Sequence, residues 1–202
     1  MGVRQGGLDK LEFEHPELGI HEHNLMLTAT HTHSAPGGFS HHLLYNLGVP
    51  GFCPDVYESI VDTVVDPLVI AFQRLVSGRV GLAQGEIPVS EHVAFNRSLE
   101  AYNRNPDVTP LTPGEAAHGV NRTMTVLRFE NKGGNPIGMF SWFAVHCTSL
   151  HSDNTLIDPD NKGSAARQFE RRAQRNFNMP GFVAGFCLST GGGCESQFSV
   201  GS

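Results

Sequence analysis

Residues 123–146 read TMTVLRFENKGGNPIGMFSWFAVH, and this stretch decides the class of fold. Two runs rich in apolar and β-branched residues, Thr123–Phe129 and Ile137–His146, flank Asn131-Lys132-Gly133-Gly134-Asn135. A glycine- and asparagine-rich turn between two strand-like runs predicts a β-hairpin. Toward the carboxyl end, Asn161–Phe177 predicts a helix and Phe182–Phe186 a last short buried strand. Toward the amino end, Arg79–Pro88 reads as a strand. Before it, Val56, Ile60, Val64, Leu68, Phe72 and Leu75 recur close to a 3.6-residue period, which predicts a helix over Asp55–Leu75. That helix begins at Pro54 or is capped by Asp55. Pro67 lies inside it and should kink or divide it, because proline lacks the amide hydrogen and clashes with the preceding turn. Asn24–Thr30 (NLMLTAT) reads as a buried strand, running into a loop over His31–Ser40 with two histidines, a proline and two glycines. Asn96–Arg122, rich in Asn, Pro and Thr, reads as a long loop, and loops of that length inside a domain are often functional. The expected class is α/β, with helices and strands mixed.

Composition narrows the function. The chain has 202 residues, 39% hydrophobic and 17% charged, ordinary values for a soluble globular protein. No apolar run approaches the roughly 18–20 residues needed to span a bilayer. The start, Met1-Gly2-Val3-Arg4-Gln5-Gly6-Gly7-Leu8, lacks the apolar core of a signal peptide, so either the protein stays inside or this sequence begins after a targeting segment. A formal net charge of −6 without a basic run argues against a nucleic-acid partner. Cys53, Cys147, Cys187 and Cys194 form no Cys-x-x-Cys, which argues against a cysteine zinc finger while leaving pairing open. Asn96-Arg97-Ser98 and Asn121-Arg122-Thr123 both fit the N-glycosylation acceptor pattern.

The chemistry sits in the histidines, of which there are 11. His31 and His33 are two apart at the end of a predicted strand. If strand geometry persists, alternate side chains share a face and both imidazoles serve one site. His146 ends another apolar strand, Phe140–His146. A catalytic zinc site takes about three protein ligands of the His/Glu/Asp type plus an open position, and convergent strand-end histidines would supply part of that. The blander readings are a hydrogen-bonded core histidine at 146 and a chance His-x-His. His21 and His23 read as a solvated pair, as do His41 and His42. Arg97 reads as a surface arginine, and Asp158, Asp160 and Lys162 as a solvated turn and helix start. The residues by themselves lead to a suspected metal hydrolase.

Several blocks together resemble the neutral ceramidase family. They are Gly6-Gly7-Leu8-Asp9-Lys10-Leu11; Asn24 to Gly38, containing His31-Thr32-His33-Ser34-Ala35-Pro36; and Asn96-Arg97-Ser98, with Ala101-Tyr102 and Asn105-Pro106 behind it. Trp142-Phe143-Ala144-Val145-His146 with Thr148-Ser149 follows, then Asp160-Asn161-Lys162-Gly163 and Gly181-Phe182-Val183-Ala184-Gly185-Phe186. They occur in the family's order over nearly the whole chain. The resemblance implies a zinc-dependent amidohydrolase that cleaves ceramide into sphingosine and a fatty acid. It implies His31 and His146 as ligands of Zn2+, His33 as a hydrogen-bonding or proton-transferring group beside the metal, and Arg97 as a cation stabilising negative charge near the substrate head. It implies ceramide at a membrane surface or in micelles as the partner, and a secreted or cell-surface location.

Two departures accompany it. The family completes the zinc site with a glutamate and a tyrosine far downstream, so the chain is expected to be an incomplete portion of the catalytic domain, covering residues 1–187. Relatives also carry a Gly-Asp-x-Ser-Pro-Asn segment with a catalytic serine, where this chain reads Leu188-Ser189-Thr190-Gly191-Gly192-Gly193-Cys194-Glu195-Ser196-Gln197. Glu195 falls at the serine's position, so no catalytic serine is assigned and residues 188–202 are read as a divergent tail, from a shifted reading frame or alternative end. The alternative function is a catalytically inactive fragment that binds lipid or a partner.

Overall fold

The computed structural model describes residues 2–190 and, as backbone alone, residues 194–196. The chain divides into two compact units, Met1–Leu27 with Pro36–Val76, and Thr28–Ala35 with Ser77–Ser202.

The first unit is built on two helices, α1 (Val3–Glu14) and α2 (Pro54–Phe72). Adjacent Gly6 and Gly7 each cost roughly 1 kcal/mol relative to alanine in a helix interior, yet α1 runs through both. Packing explains their presence. A Cβ on Gly6 would lie 2.2 Å from Tyr57 Oη and 3.0 Å from Val61 Cγ2, and one on Gly7 would lie 3.3 Å from Val64 Cγ1. The glycines thus let α1 lie against α2 around Leu11, Val61 and Val65, with Tyr57, Leu68 and Val69 at the margin. Lys10 Nζ donates to Asp62 Oδ1 across the same pair at 2.6 Å. Helix α2 starts at Pro54, where a missing amide hydrogen costs nothing, and it continues through Pro67 to Phe72. The proline therefore does not divide it, and packing of Val61, Val65 and Leu68 on α1 supplies what the lost hydrogen bond does not.

The second unit carries the sheet. Its strands are β1 (Gly78–Glu86), β3 (Thr123–Asn131), β4 (Pro136–Phe143) and β5 (Val183–Leu188), in the order β1-β3-β4-β5. A separate short ribbon pairs β2 (Ala94–Asn96) with β6 (Cys194–Ser196). Between them lie a single turn, α3 (Leu99–Tyr102), and the long helix α4 (Asp160–Phe177). The predicted hairpin is β3–β4, antiparallel and fastened by Asn131, whose Oδ1 accepts the amides of Gly133 and Asn135 at 2.9 and 3.0 Å. Gly134 takes φ +81°, which the turn needs and a side chain would resist. β4 pairs with β5 in parallel, so the connection must cross over, and α4 makes that crossing. The fold is mixed α/β, as the sequence implied. Ala94, Val120, Phe143 and Ala144 form its buried apolar cluster, with Ile87, Val93, Met124 and Val145 packed around them.

Four local expectations change. Asn24–Thr30 is not a ladder strand: Leu188 donates its amide to Ala29 O at 3.0 Å, and the neighbouring contacts are single bridges rather than a run. β4 ends at Phe143, so His146 stands three residues beyond the strand. The long loop after Asn96 contains α3 and a 3₁₀ helix over Pro113–His118, capped where the Glu115 carboxylate accepts the Thr112 amide and hydroxyl. Asn96 itself is buried, with Nδ2 donating to Gly119 O at 3.0 Å, so the fold withholds it from glycosylation. Among the described cysteines, Cys53, Cys147 and Cys187 are all unpaired. Most of the expected tail, with the Glu195 side chain, lies outside the described residues. Among the described residues no helix is long and apolar enough to cross a membrane.

Candidate metal centre

The segment around His31 and His33 is anchored on alternate residues. Thr32 bridges to Cys147 in parallel register and Ser34 to Asp158 in antiparallel register. The Thr32 hydroxyl donates to Asp158 O at 2.6 Å, and the Asp158 amide donates to Ser34 O at 2.9 Å. Upstream, the Cys147 thiol lies 3.0 Å from Thr30 O. Held this way, His31 adopts φ +63°, a left-handed conformation that costs a non-glycine residue on the order of 1 kcal/mol or more. Strand alternation therefore does not account for the placement of the pair: His31 leaves strand geometry, and its anchored neighbours aim it.

His146 joins them. Ring centroids are 4.8 Å apart for His31 and His146, 5.2 Å for His31 and His33, and 5.9 Å for His33 and His146. One ring nitrogen from each histidine lies within 4.8 Å of the others. Burial pushes the His31 pKa below its ordinary value, and the neighbouring imidazoles of His146 and His33 push it further. A neutral imidazole offers a lone pair, which is the form a metal binds. The donor chemistry of this imidazole cluster fits a zinc ion, and His31 and His33 are open to solvent.

The start of α4 supports this cluster, and here the sequence expectation fails. Asp160 and Lys162 were expected to be solvated but are 5% and 4% exposed. Lys162 Nζ donates to Val145 O at 2.9 Å, and burial lowers its pKa to about 8 although Cys147, Cys187 and Asp160 pull the other way. Asn161 Nδ2 donates to His146 O at 2.8 Å and to Ser149 Oγ at 3.1 Å. Sequence reasoning assigned no role to Thr32, Asn161 or Lys162. The available signal was Gly163, directly after Asn161-Lys162: a Cβ there would stand 2.2 Å from Pro159 Cγ, so only glycine lets this turn close.

Arg97 follows β2 with an exposed side chain. Its strand packs through Ala94 on Phe143 and Ala144, just ahead of His146. His21, His23, His41 and His42 are exposed, as expected. A cavity of about 720 Å3 is lined by Ser149, Asp158, Asp160, Phe169 and Arg172 but by none of the three imidazoles. It lies on the α4 side of the supporting turn, and the donor geometry is the better guide to chemistry.

Fold and site together define a mixed α/β protein that brings three imidazoles into one cluster. Residues 1–198 match the family described as neutral/alkaline non-lysosomal ceramidase, N-terminal, and the chain belongs to that family. It is 40% identical to the neutral ceramidase of Pseudomonas aeruginosa over 96% of this chain and 27% of that protein. It is 37% identical to neutral ceramidase A of Dictyostelium discoideum over 91% of this chain and 25% of that protein. The crystal structure of the Pseudomonas aeruginosa neutral ceramidase superposes with a TM-score of 0.83 at 38% identity, covering 98% of this chain and 30% of the other. The chain thus spans about a quarter to a third of the length of the relatives it matches.

Proposed function

We propose that this protein serves the hydrolysis of the ceramide amide bond, releasing sphingosine and a fatty acid, at a zinc ion held by His31 and His146. One observation carries the reading: three imidazoles from two distant parts of the chain converge, in a chain whose relatives are named neutral ceramidases. The ion, when bound, supplies Lewis-acid polarisation of a carbonyl and acidifies water. The chain's own groups do the rest. His33, its ring 5.2 Å from that of His31, holds a proton at an imidazole nitrogen and passes it to the leaving amine. Arg97 brings a guanidinium to the charge that develops on the carbonyl oxygen. By resemblance to the family, a glutamate and a tyrosine would join His31 and His146 as ligands. The substrate meets the site at a membrane surface or in micelles, outside the cytosol.

A second reading, a chain that binds metal or lipid without turnover, is favoured by the donor set itself. The described cluster offers imidazoles alone. The test is fatty-acid release from labelled ceramide, with His33→Ala as control. Zinc-dependent release that the substitution abolishes supports hydrolysis. Metal binding without release supports the second reading, and release unaffected by His33→Ala contradicts the assigned role.

A further inference from the structure

The ladder that fixes β4 ends at Phe143, yet His146 stands in a defined place beyond it. Beyond a strand, backbone carbonyls must find other partners or, where buried, be left unsatisfied at a cost to stability. Here two consecutive carbonyls are taken by consecutive side chains at the start of α4: Val145 O by Lys162 and His146 O by Asn161. Of the two, Asn161 does more. Its amide hydrogens go to His146 O at 2.8 Å and Ser149 Oγ at 3.1 Å, while the Cys147 thiol lies 3.4 Å from its Oδ1. The orientation of the amide is not free, because a carbonyl only accepts, so the nitrogen must face His146 O. One planar group therefore ties residues 146, 147 and 149 to the helix.

Asn161 is itself held from outside. Its backbone amide donates to the Asp160 carboxylate, whose other oxygen accepts the Leu150 amide at 3.1 Å. Asp160 has φ +53°, and its amide donates to Asp158 Oδ1 at 2.6 Å. Asp158 is also the residue to which Thr32 and Ser34 are tied, at 2.6 and 2.9 Å. The two halves of the imidazole cluster are thus referred to one turn: His31 and His33 through Asp158, and His146 through Asn161.

We propose that Asn161 is a positioning residue for His146, its side-chain amide setting where that imidazole stands by gripping the backbone on which it is carried. Asn161 touches neither metal nor substrate. It preorganises the ring, so that His31 and His146 face each other before any ion arrives. The consequence for metal affinity rests on the zinc reading above, whereas the placement of the ring does not.

The experiment uses the full chain with Asn161→Asp, which keeps the shape and turns the donating nitrogen into an oxygen facing another oxygen. Asn161→Ala, which removes the group, is the second variant. In metal-free protein, the wild-type chain gives a proton–proton nuclear Overhauser contact between the His31 and His146 rings, and both variants lose it or weaken it several-fold. Cobalt(II) titration then shows an affinity about tenfold weaker in the variants, the scale of loss when groups behind metal ligands are removed. A purely structural role would lower the melting temperature and leave the ring contact of the folded protein intact. An unchanged contact in a folded variant, or none in the wild type, overturns the proposal whatever cobalt does. A wild type that shows the contact but takes up no cobalt overturns the zinc reading alone. If Asn161→Asp does not fold by circular dichroism, Asn161→Ala decides. If neither folds, the proposal is overturned, the amide then serving the fold as a whole.

Discussion

Two His-x-His pairs in this chain share a spacing and little else. The rings of His21 and His23 are 5.9 Å apart and those of His31 and His33 are 5.2 Å apart. Around the first pair, Arg4 of α1 donates to the carbonyls of Glu22 and Leu25, and the histidines' own bonds are local: Asn24 Oδ1 accepts the His21 amide at 2.7 Å, and the His23 amide donates to His21 Nδ1 at 3.3 Å, occupying a ring nitrogen with backbone. Around the second, the contacts reach far along the chain, to Cys147 and Asp158, and they bring a third imidazole within 4.8 Å. The spacing is therefore not what makes a candidate metal centre. Anchoring of the backbone to segments that bring in a third imidazole makes it, at the cost of a strained φ at His31.

The largest effect should come from removing a ring. Titration of His31→Ala with zinc is expected to show a loss beyond the roughly 10–100-fold typical of supporting groups, while His21→Ala binds as the wild type does. Equal losses in both variants would erase the contrast.

The next effect is electrostatic and has a sign. The Lys162 pKa is about 8 in the fold against 10.5 as the ordinary value. Below about pH 8 both folded and unfolded chains hold the proton, and the fold carries the cost of burying it. Between about 8 and 10.5 the unfolded chain binds more proton than the folded one, so stability rises with pH. The buried thiols of Cys147 and Cys187, raised in pKa, act in the opposite direction at alkaline pH. The readout is therefore the difference between wild type and Lys162→Met in denaturant melts, which should shift in favour of the wild type by roughly 3 kcal/mol across that window. A flat difference would mean that the lysine is solvated.

Smaller still is the anchor. Thr32→Val removes the hydroxyl that donates to Asp158 O and should cost about 1–2 kcal/mol in denaturant unfolding, with several-fold weaker zinc binding. Smallest is His23→Ala, expected to change stability by less than about 0.5 kcal/mol and metal binding not at all, since the His23 side chain is 81% exposed.

How much of this was legible in the sequence follows from what each feature rests on. The β3–β4 hairpin could be read because its turn chemistry, Asn131 through Asn135, is local. Helices α2 and α4 could be read because their periodicity and start signals are local too. Helix α1 could not, since Gly6 and Gly7 argue against a helix until Tyr57, Val61 and Val64 are known to press on them. The histidines were legible as residue types and, by resemblance, as a set. Their support was not: nothing local distinguishes Asp160 and Lys162 from a solvated helix start, and only the tertiary fold buries them under Val145 and Leu150.

The central claim is that His31, His33 and His146 form a metal centre, with His31 and His146 as the ligands this chain supplies. Its most direct test is the zinc content of the purified 202-residue chain after equilibrium dialysis, beside His146→Ala. The account predicts one zinc per wild-type chain and loss of zinc from the variant. No zinc in the wild type, or equal zinc in both, would contradict it.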